Sequence, residues 1–284
     1  TDGGQNIVEI TFWGVRGTTP ESAKDKLKYG GHTPCASIVS AAGDTVIIDA
    51  GTGMKALGET LMARPAGKGL RLHILLTHFH LDHLIGLPFF APLYSDAAEI
   101  TFYSARAPRE TEREVRGLMS GRYFPVDFRE TGSAKSFRRA AENTISIGIL
   151  KISGCPLNHP QGSFGYRVAD ESGSIVFATD TEPPEGGMDG RLARFIEGAT
   201  FFVCDATFTP EEYRTRQGWG HGTWQEGTRL ASRAGVGNLL LSHLNPEHSD
   251  ALVDGMVRLA RREFRRTSAA REGLRLRTPA GKSA

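Results

Sequence analysis

No apolar run in this chain approaches the roughly 20 residues that cross a bilayer, so a membrane-spanning protein is not expected. Cysteine is scarce: Cys35, Cys155 and Cys204 are an odd number and far apart, which argues against a disulfide framework and a paired-thiolate metal site. Each reads as a small buried side chain. Neither charge dominates, since 34 Lys and Arg stand against 32 Asp and Glu, for a net +2, and the chain as a whole has no strong polyanion footprint. Residues 1–6 have no charged start and no apolar signal core. The chain begins without Met, which leaves a removed targeting segment open, and the cytoplasm is the expected location. Internal repeats and low-complexity tracts are missing. Gly30-Gly31 and Asp49-Ala50-Gly51-Thr52-Gly53 lack the glycine spacing and the following Lys or helix of a nucleotide-binding fingerprint.

What is present is enough for a substantial core: 284 residues, 39% hydrophobic and 23% charged. Residues 258–284 carry nine Lys or Arg against two Glu, so this end contributes +7 and the rest −5. The expected organisation is one domain over 1–265, closed by a helix at about 249–265, then a basic, flexible tail over 266–284 that could touch RNA.

Alternation predicts strands over 7–13, 36–41 and 45–48. A short helix is expected at 54–63. Leu70 to Leu76 begins by alternating and becomes continuously apolar, as a strand buried on both faces does. Further strands are expected at 100–103, 145–153, 163–168, 175–178, 201–204 and 239–242, with helices at 108–119, 189–197 and 224–234. Tyr123 to Val126 reads as extended chain. Strands interleaved with helices, with polar clusters just after strands, predict an α/β layered protein whose site lies at strand ends.

The densest such cluster is Thr77-His78-Phe79-His80-Leu81-Asp82-His83. Alternating His78 and His80 can converge from one side of an extended segment, and Asp82 and His83 follow where the chain turns. Four ligands in six residues exceed what one tetrahedral ion takes from so short a segment. The economical reading is two neighbouring divalent ions, with His78 and His80 on one and Asp82 and His83 on the other. The distant candidates are His159, Asp180 and His243, each shortly after a strand, and the Asp180 carboxylate is suited to bridge both ions.

These residues resemble the metallo-β-lactamase superfamily, whose His-x-His-x-Asp-His signature stands here as His78 to His83. The resemblance covers roughly residues 7–260 and is strongest to the phosphodiesterase branch that includes the tRNA 3′-processing endonucleases. It rests also on Phe177-Ala178-Thr179-Asp180-Thr181, Cys204-Asp205-Ala206-Thr207-Phe208, Gly220-His221-Gly222-Thr223 and Leu241-Ser242-His243. It implies a four-layer αββα sandwich. It also implies one ion on His78, His80 and His159, a second on Asp82, His83 and His243, and Asp180 between them. Zinc is the expected metal, with Mn or Fe as alternatives. By the same resemblance His221 assists at the scissile phosphate, supported by Asp205 where relatives commonly have Glu. Asp49 is expected to steady the histidine loop, and His32 is a candidate substrate contact.

The expected chemistry is hydrolysis by water activated between two ions, with Asp82 or Asp180 orienting the water and His221 as donor at the leaving oxygen. The sequence does not choose between the two aspartates. Residues 105–140 are mixed in charge and not Gly-rich, unlike the long Gly- and Lys-rich arm of tRNA-processing relatives. A small or cyclic-nucleotide-type phosphodiester is therefore the expected substrate, and Phe124-Pro125-Val126 a wall or lid. The alternatives are a nuclease for RNA or single-stranded DNA, and a hydrolase of carboxylic esters, lactones or β-lactams. A homodimer is compatible with the resemblance.

Overall fold

In the computed structural model, which describes residues 8–63, 69–140 and 144–279, the alternating segments near the start become β1 (Glu9–Gly14), β2 (Cys35–Val39) and β3 (Thr45–Ile48). Helix α1 (Met54–Met62), β4 (Leu70–Leu75), β5 (Ala98–Ser104), α2 (Pro108–Leu118) and β6 (Ala134–Arg139) follow. The second half runs β7 (Ile145–Ile147), β8 (Leu150–Leu157), β9 (Ser163–Asp170), β10 (Gly173–Ala178), α3 (Gly190–Phe195) and β11 (Phe201–Asp205). It closes with the short α4 (Pro210–Tyr213), α5 (Trp224–Arg233), β12 (Asn238–Ser242), α6 (Asp250–Glu263), β13 (Thr267–Ala269) and β14 (Arg275–Arg277).

The strands form two seven-stranded sheets, ordered β14-β1-β2-β3-β4-β5-β6 and β13-β12-β11-β10-β9-β8-β7. Starting from β14 in one sheet and β7 in the other, both show three antiparallel pairings and then three parallel ones. The backbone thus repeats a plan that the residues do not. Between the sheets, Ile10, Phe12, Val46 and Ile48 meet Tyr166, Val168 and Ile175, with the Phe12 and Phe177 ring centres 6.3 Å apart. Ile47 points the other way and joins Leu57, Leu72, Ile74 and Val115 beneath α1 and α2. Helices α3, α5 and α6 cover the second sheet through Leu192, Leu230 and Val253. Each such aliphatic or aromatic side chain, fully buried, contributes about 1.5–3 kcal/mol. The layers are αββα, as expected. All three cysteines are buried, and among the described residues no helix is long and apolar enough to cross a membrane.

Two expectations are corrected. The segment from 266 is not a free tail over its described length, because β13 pairs in parallel with β12 and β14 pairs antiparallel with β1, so it finishes an edge of each sheet. Alternation in Arg275-Leu276-Arg277 keeps the arginines exposed while Leu276 packs against the core. Tyr123 to Val126 is turn rather than extended chain. There Phe124 packs edge-on against Phe89, with ring centres 5.7 Å apart, in the helix layer of the first sheet instead of over the site. Ile7 and the last residues from 280, expected to be strand and disordered chain, lie outside the described residues.

One staple was invisible in the sequence. Arg16, in the loop after β1, is completely buried, and its guanidinium donates to the carbonyl oxygens of Gly30, Asn245 and His248 at 2.9–3.1 Å and of Lys26 at 3.3 Å. It ties the start of the chain to the loop that follows β12. Replacing Arg16 with Ala leaves these buried acceptors unpaired and opens a cavity. A loss of roughly 3–5 kcal/mol is expected, read as a lower urea midpoint in equilibrium unfolding.

Candidate metal centre

Strand β4 ends at Leu75, the apolar run continues through Leu76, and the chain then turns through a single 3-10 turn, Leu81–His83. Asp82 and His83 in this turn and His78 just before it are buried together. Residues just past β8, β10 and β12 reach the same place from the other sheet, bringing His159, Asp180 and His243. Potential ligand atoms of His78, His80 and His159 lie within 4.8 Å of one another, and so do those of Asp82, His83 and His243. The nearest approaches are 3.4 Å between His80 Nδ1 and His159 Nε2, and 3.3 Å between His243 Nε2 and Asp82 Oδ2. Asp180 stands between the groups. Its Oδ1 is 3.8 Å from His78 Nε2 and 3.2 Å from His243 Nε2, and its Oδ2 is 3.3 Å from His83 Nε2.

Three of these atoms, His78 Nε2, His83 Nε2 and Asp180 Oδ2, are buried without a hydrogen-bond partner. Orphaned polar atoms are costly in an interior, and several aimed at one point are the mark of an ion site. The donor set of imidazole and carboxylate fits divalent zinc, manganese or iron.

Around these atoms a second layer orients the rings. Asp49 accepts from Thr77 N and from His83 Nδ1, both at 2.8 Å, and from Thr77 Oγ1 at 2.9 Å. Thr77 Oγ1 in turn lies 3.1 Å from His78 Nδ1, leaving Nε2 of each ring to face inward. His159 Nδ1 donates to Gly220 O at 3.0 Å, and a Cβ on Gly220 would stand 2.1 Å from that nitrogen, so only glycine fits there. His243 Nδ1 is held at 3.0 Å by Thr207 Oγ1, and Thr18 N donates to Asp82 Oδ2 at 2.8 Å. Asp49, Asp180, His243 and Thr18 are the non-glycine residues with positive φ among the described residues, at 53–63°. Left-handed backbone costs roughly 1–2 kcal/mol per residue, and here it is concentrated on the site. Asp49 and Asp180 leave equivalent strands of the two sheets, β3 and β10.

Asp49→Asn keeps the shape and replaces one acceptor with a donor facing donors. We expect metal affinity to fall about 10- to 100-fold, as measured by competition with a chromophoric chelator.

His221 is not within either triad but stacks on His243, with ring centres 4.9 Å apart and planes 20° apart. Asp205 takes four donors: His221 Nδ1 at 3.0 Å, Asp180 N and Thr207 N at 2.9 Å, and Gly222 N at 3.1 Å. Burial acts to lower the His221 pKa, but Asp205 and, more weakly, Asp180 and Asp82 outweigh it and raise it to about 9. Burial likewise acts to protonate Asp82 and Asp180, yet the surrounding imidazoles hold both well below the usual carboxylate range. A cleft of about 520 Å³ opens onto His80, Asp82, Asp180, His221 and His243. Phe208, the last residue of the Cys204–Phe208 motif, also lines it, together with Arg216 and Trp219, neither of which has a motif signal in the sequence. His32 lies outside this cleft, exposed and bonded through Nδ1 to Thr52 Oγ1 at 3.1 Å.

Two facing sheets with this cluster at their shared edge define a metal-dependent hydrolase. A family model for the beta-lactamase superfamily domain matches residues 44–244, and the chain belongs to the metallo-β-lactamase superfamily. A ribonuclease Z of Bradyrhizobium diazoefficiens is 27% identical over 289 residues, covering 85% of this chain and 91% of that one. An uncharacterized protein of Mycobacterium leprae is 29% identical over 245 residues, covering 84% of this chain and 78% of that one. In fold, the chain resembles a metallo-β-lactamase-fold protein from Bacillus subtilis (TM-score 0.70, 21% identity, 96% of this chain and 100% of that one). It also resembles the short form of human tRNase Z (TM-score 0.67, 17% identity, 95% and 99%).

Proposed function

We propose that this protein hydrolyses phosphodiester bonds at a dinuclear metal centre, acting on a small or cyclic-nucleotide-type substrate. His78, His80 and His159 would hold one ion and Asp82, His83 and His243 the other, with Asp180 shared. Divalent ions in such a site supply positive charge for phosphoryl oxygens and make water nucleophilic at neutral pH.

The observation that carries the reading is the His221–Asp205 pair. The Nδ1 atom of His221 is occupied by Asp205, so Nε2 is its free nitrogen, and the ring lines the cleft beside both ligand groups. A protonated imidazole there can stabilise charge on a phosphoryl oxygen and give its proton to the leaving alkoxide. Arg216, half-buried 5.5 Å over the Phe208 ring and without a carboxylate partner among the described residues, adds positive charge suited to an anionic substrate. A cleft of about 520 Å³ matches a mononucleotide-sized ligand.

The deciding assay is turnover of bis(p-nitrophenyl) phosphate and of cyclic nucleotides by metal-quantified protein, beside nitrocefin and a lactone. Phosphodiester turnover at about two metals per chain is the expected result. Full metal occupancy with turnover only of the lactone or nitrocefin would overturn it.

A second reading, a nuclease for RNA or single-stranded DNA, is favoured by a separate basic cleft of about 560 Å³ lined by Lys28, Arg258, Arg261, Arg262 and Arg271. If it grips a polyanion, Arg258→Glu with Arg262→Glu weakens oligonucleotide binding and flattens its salt dependence. Unchanged binding removes this reading.

A further inference from the structure

Trp219 is 62% exposed at the rim of the metal cleft. An indole left in water forgoes the burial its size would allow, so its placement there calls for a reason. It does not sit on a loose loop. Glu182 grips the turn on both sides of it: Oε1 accepts from Gly218 N at 2.7 Å and Oε2 from Gly220 N at 2.8 Å. Oε1 also accepts from Tyr213 Oη at 2.8 Å. Glu182 is itself buried and anchored, since its N–H donates to Asn158 O at 2.9 Å and its carbonyl accepts from Asn158 Nδ2 at 3.0 Å. Gly218 and Gly220 both have left-handed backbone, φ 84° and 86°, which glycine adopts without strain and which turns the single residue between them outward. The backbone on either side of Trp219 is clamped while the outer part of its ring stays exposed.

Beneath the ring, buried Phe208 meets Trp219 edge-on, with centres 6.5 Å apart and planes at 74°, and touches His221 on its other side with centres 5.9 Å apart. The exposed ring is therefore braced from below and lines the same cleft as the candidate metal ligands and His221. An aromatic surface fixed in advance loses little conformational entropy when a planar group stacks on it.

We propose that Trp219 is a stacking platform for a nucleobase of the substrate, and that Glu182 is the positioning residue that holds it there. This rests on the phosphodiesterase reading and narrows its substrates to nucleotides, because a base-free phosphodiester would leave the platform uncovered. Every base presents a planar face, so the platform selects nucleotides as a class without distinguishing among bases.

The test compares binding of adenosine 5′-monophosphate and ribose 5-phosphate to metal-loaded protein by calorimetry, with indole fluorescence followed in parallel. The wild type should bind the nucleotide about tenfold or more tightly than the base-free phosphate, with quenching of the exposed indole. In Trp219→Ala that advantage should fall to about twofold or less with ribose 5-phosphate affinity unchanged, whereas Trp219→Phe should keep most of it. Glu182→Gln, which turns one acceptor of the clamp into a donor, should also narrow the advantage. Equal affinities in the wild type, an advantage that survives Trp219→Ala, or parallel loss of both ligands would each overturn the platform. Turnover of bis(p-nitrophenyl) phosphate by the same preparation separates the two claims. A base advantage without turnover leaves the platform and removes the phosphodiesterase reading, and turnover without a base advantage does the reverse.

Discussion

Asp180→Ala is expected to lower phosphodiester turnover by about a thousandfold or more and to leave fewer than two metals bound per chain. Asp180 faces both triads, through Oδ1 toward His78 and His243 and Oδ2 toward His83. The Oδ2 atom is one of the buried orphans, so removing the carboxylate takes away the group that would balance two cations in a buried site. Asp180→Asn is the sharper variant, because Asn tolerates the left-handed backbone at φ 57° and keeps the volume while losing the charge. Metal content by mass spectrometry and kcat on the same samples read the effect. Near-wild-type turnover with full metal in either variant would take Asp180 out of the centre.

His221→Ala should lower kcat by about 10²–10⁴-fold while both metals stay bound, since His221 stands outside the two ligand triads. Its acid form is present below its pKa and is lost as pH rises through it. Burial lowers that pKa and the Asp205 carboxylate more than restores it, to about 9, whereas divalent cations bound beside it would lower it by charge repulsion. The absolute position of the alkaline limb thus depends on the metals, but the direction of one change does not. Asp205→Asn removes the largest raising influence, so the alkaline fall in rate must move to lower pH. A limb that stays in place, or a His221→Ala enzyme as fast as wild type, would reduce the pair to a structural role.

The candidate ligands were legible because metal ligation demands particular side chains, and His78, His80, Asp82 and His83 fall within six residues after an apolar strand. Central strands such as β3 and β4 were legible because burial on one or both faces writes itself into alternation or continuous apolar runs. The edge strands β6 and β14 were not. Ala134-Lys135-Ser136-Phe137-Arg138-Arg139 and Arg275-Leu276-Arg277 are largely solvent-facing, so their composition matches that of loops, and only pairing with β5 and β1 makes them strands.

By itself the sequence determined the layered α/β class, the first ligand cluster and the set from which the distant ligands had to come. Tertiary structure decided which of those distant groups converge, that Arg16 is a buried staple, that Asp205 gathers four donors and that one carboxylate, Glu182, presents Trp219 to the cleft. The reason is physical. Periodicity and ligand chemistry are properties of neighbouring residues, whereas most of these contacts join groups far apart in the chain, up to 232 positions between Arg16 and His248. Their energy is realised only once two sheets have packed and excluded water from the edge they share.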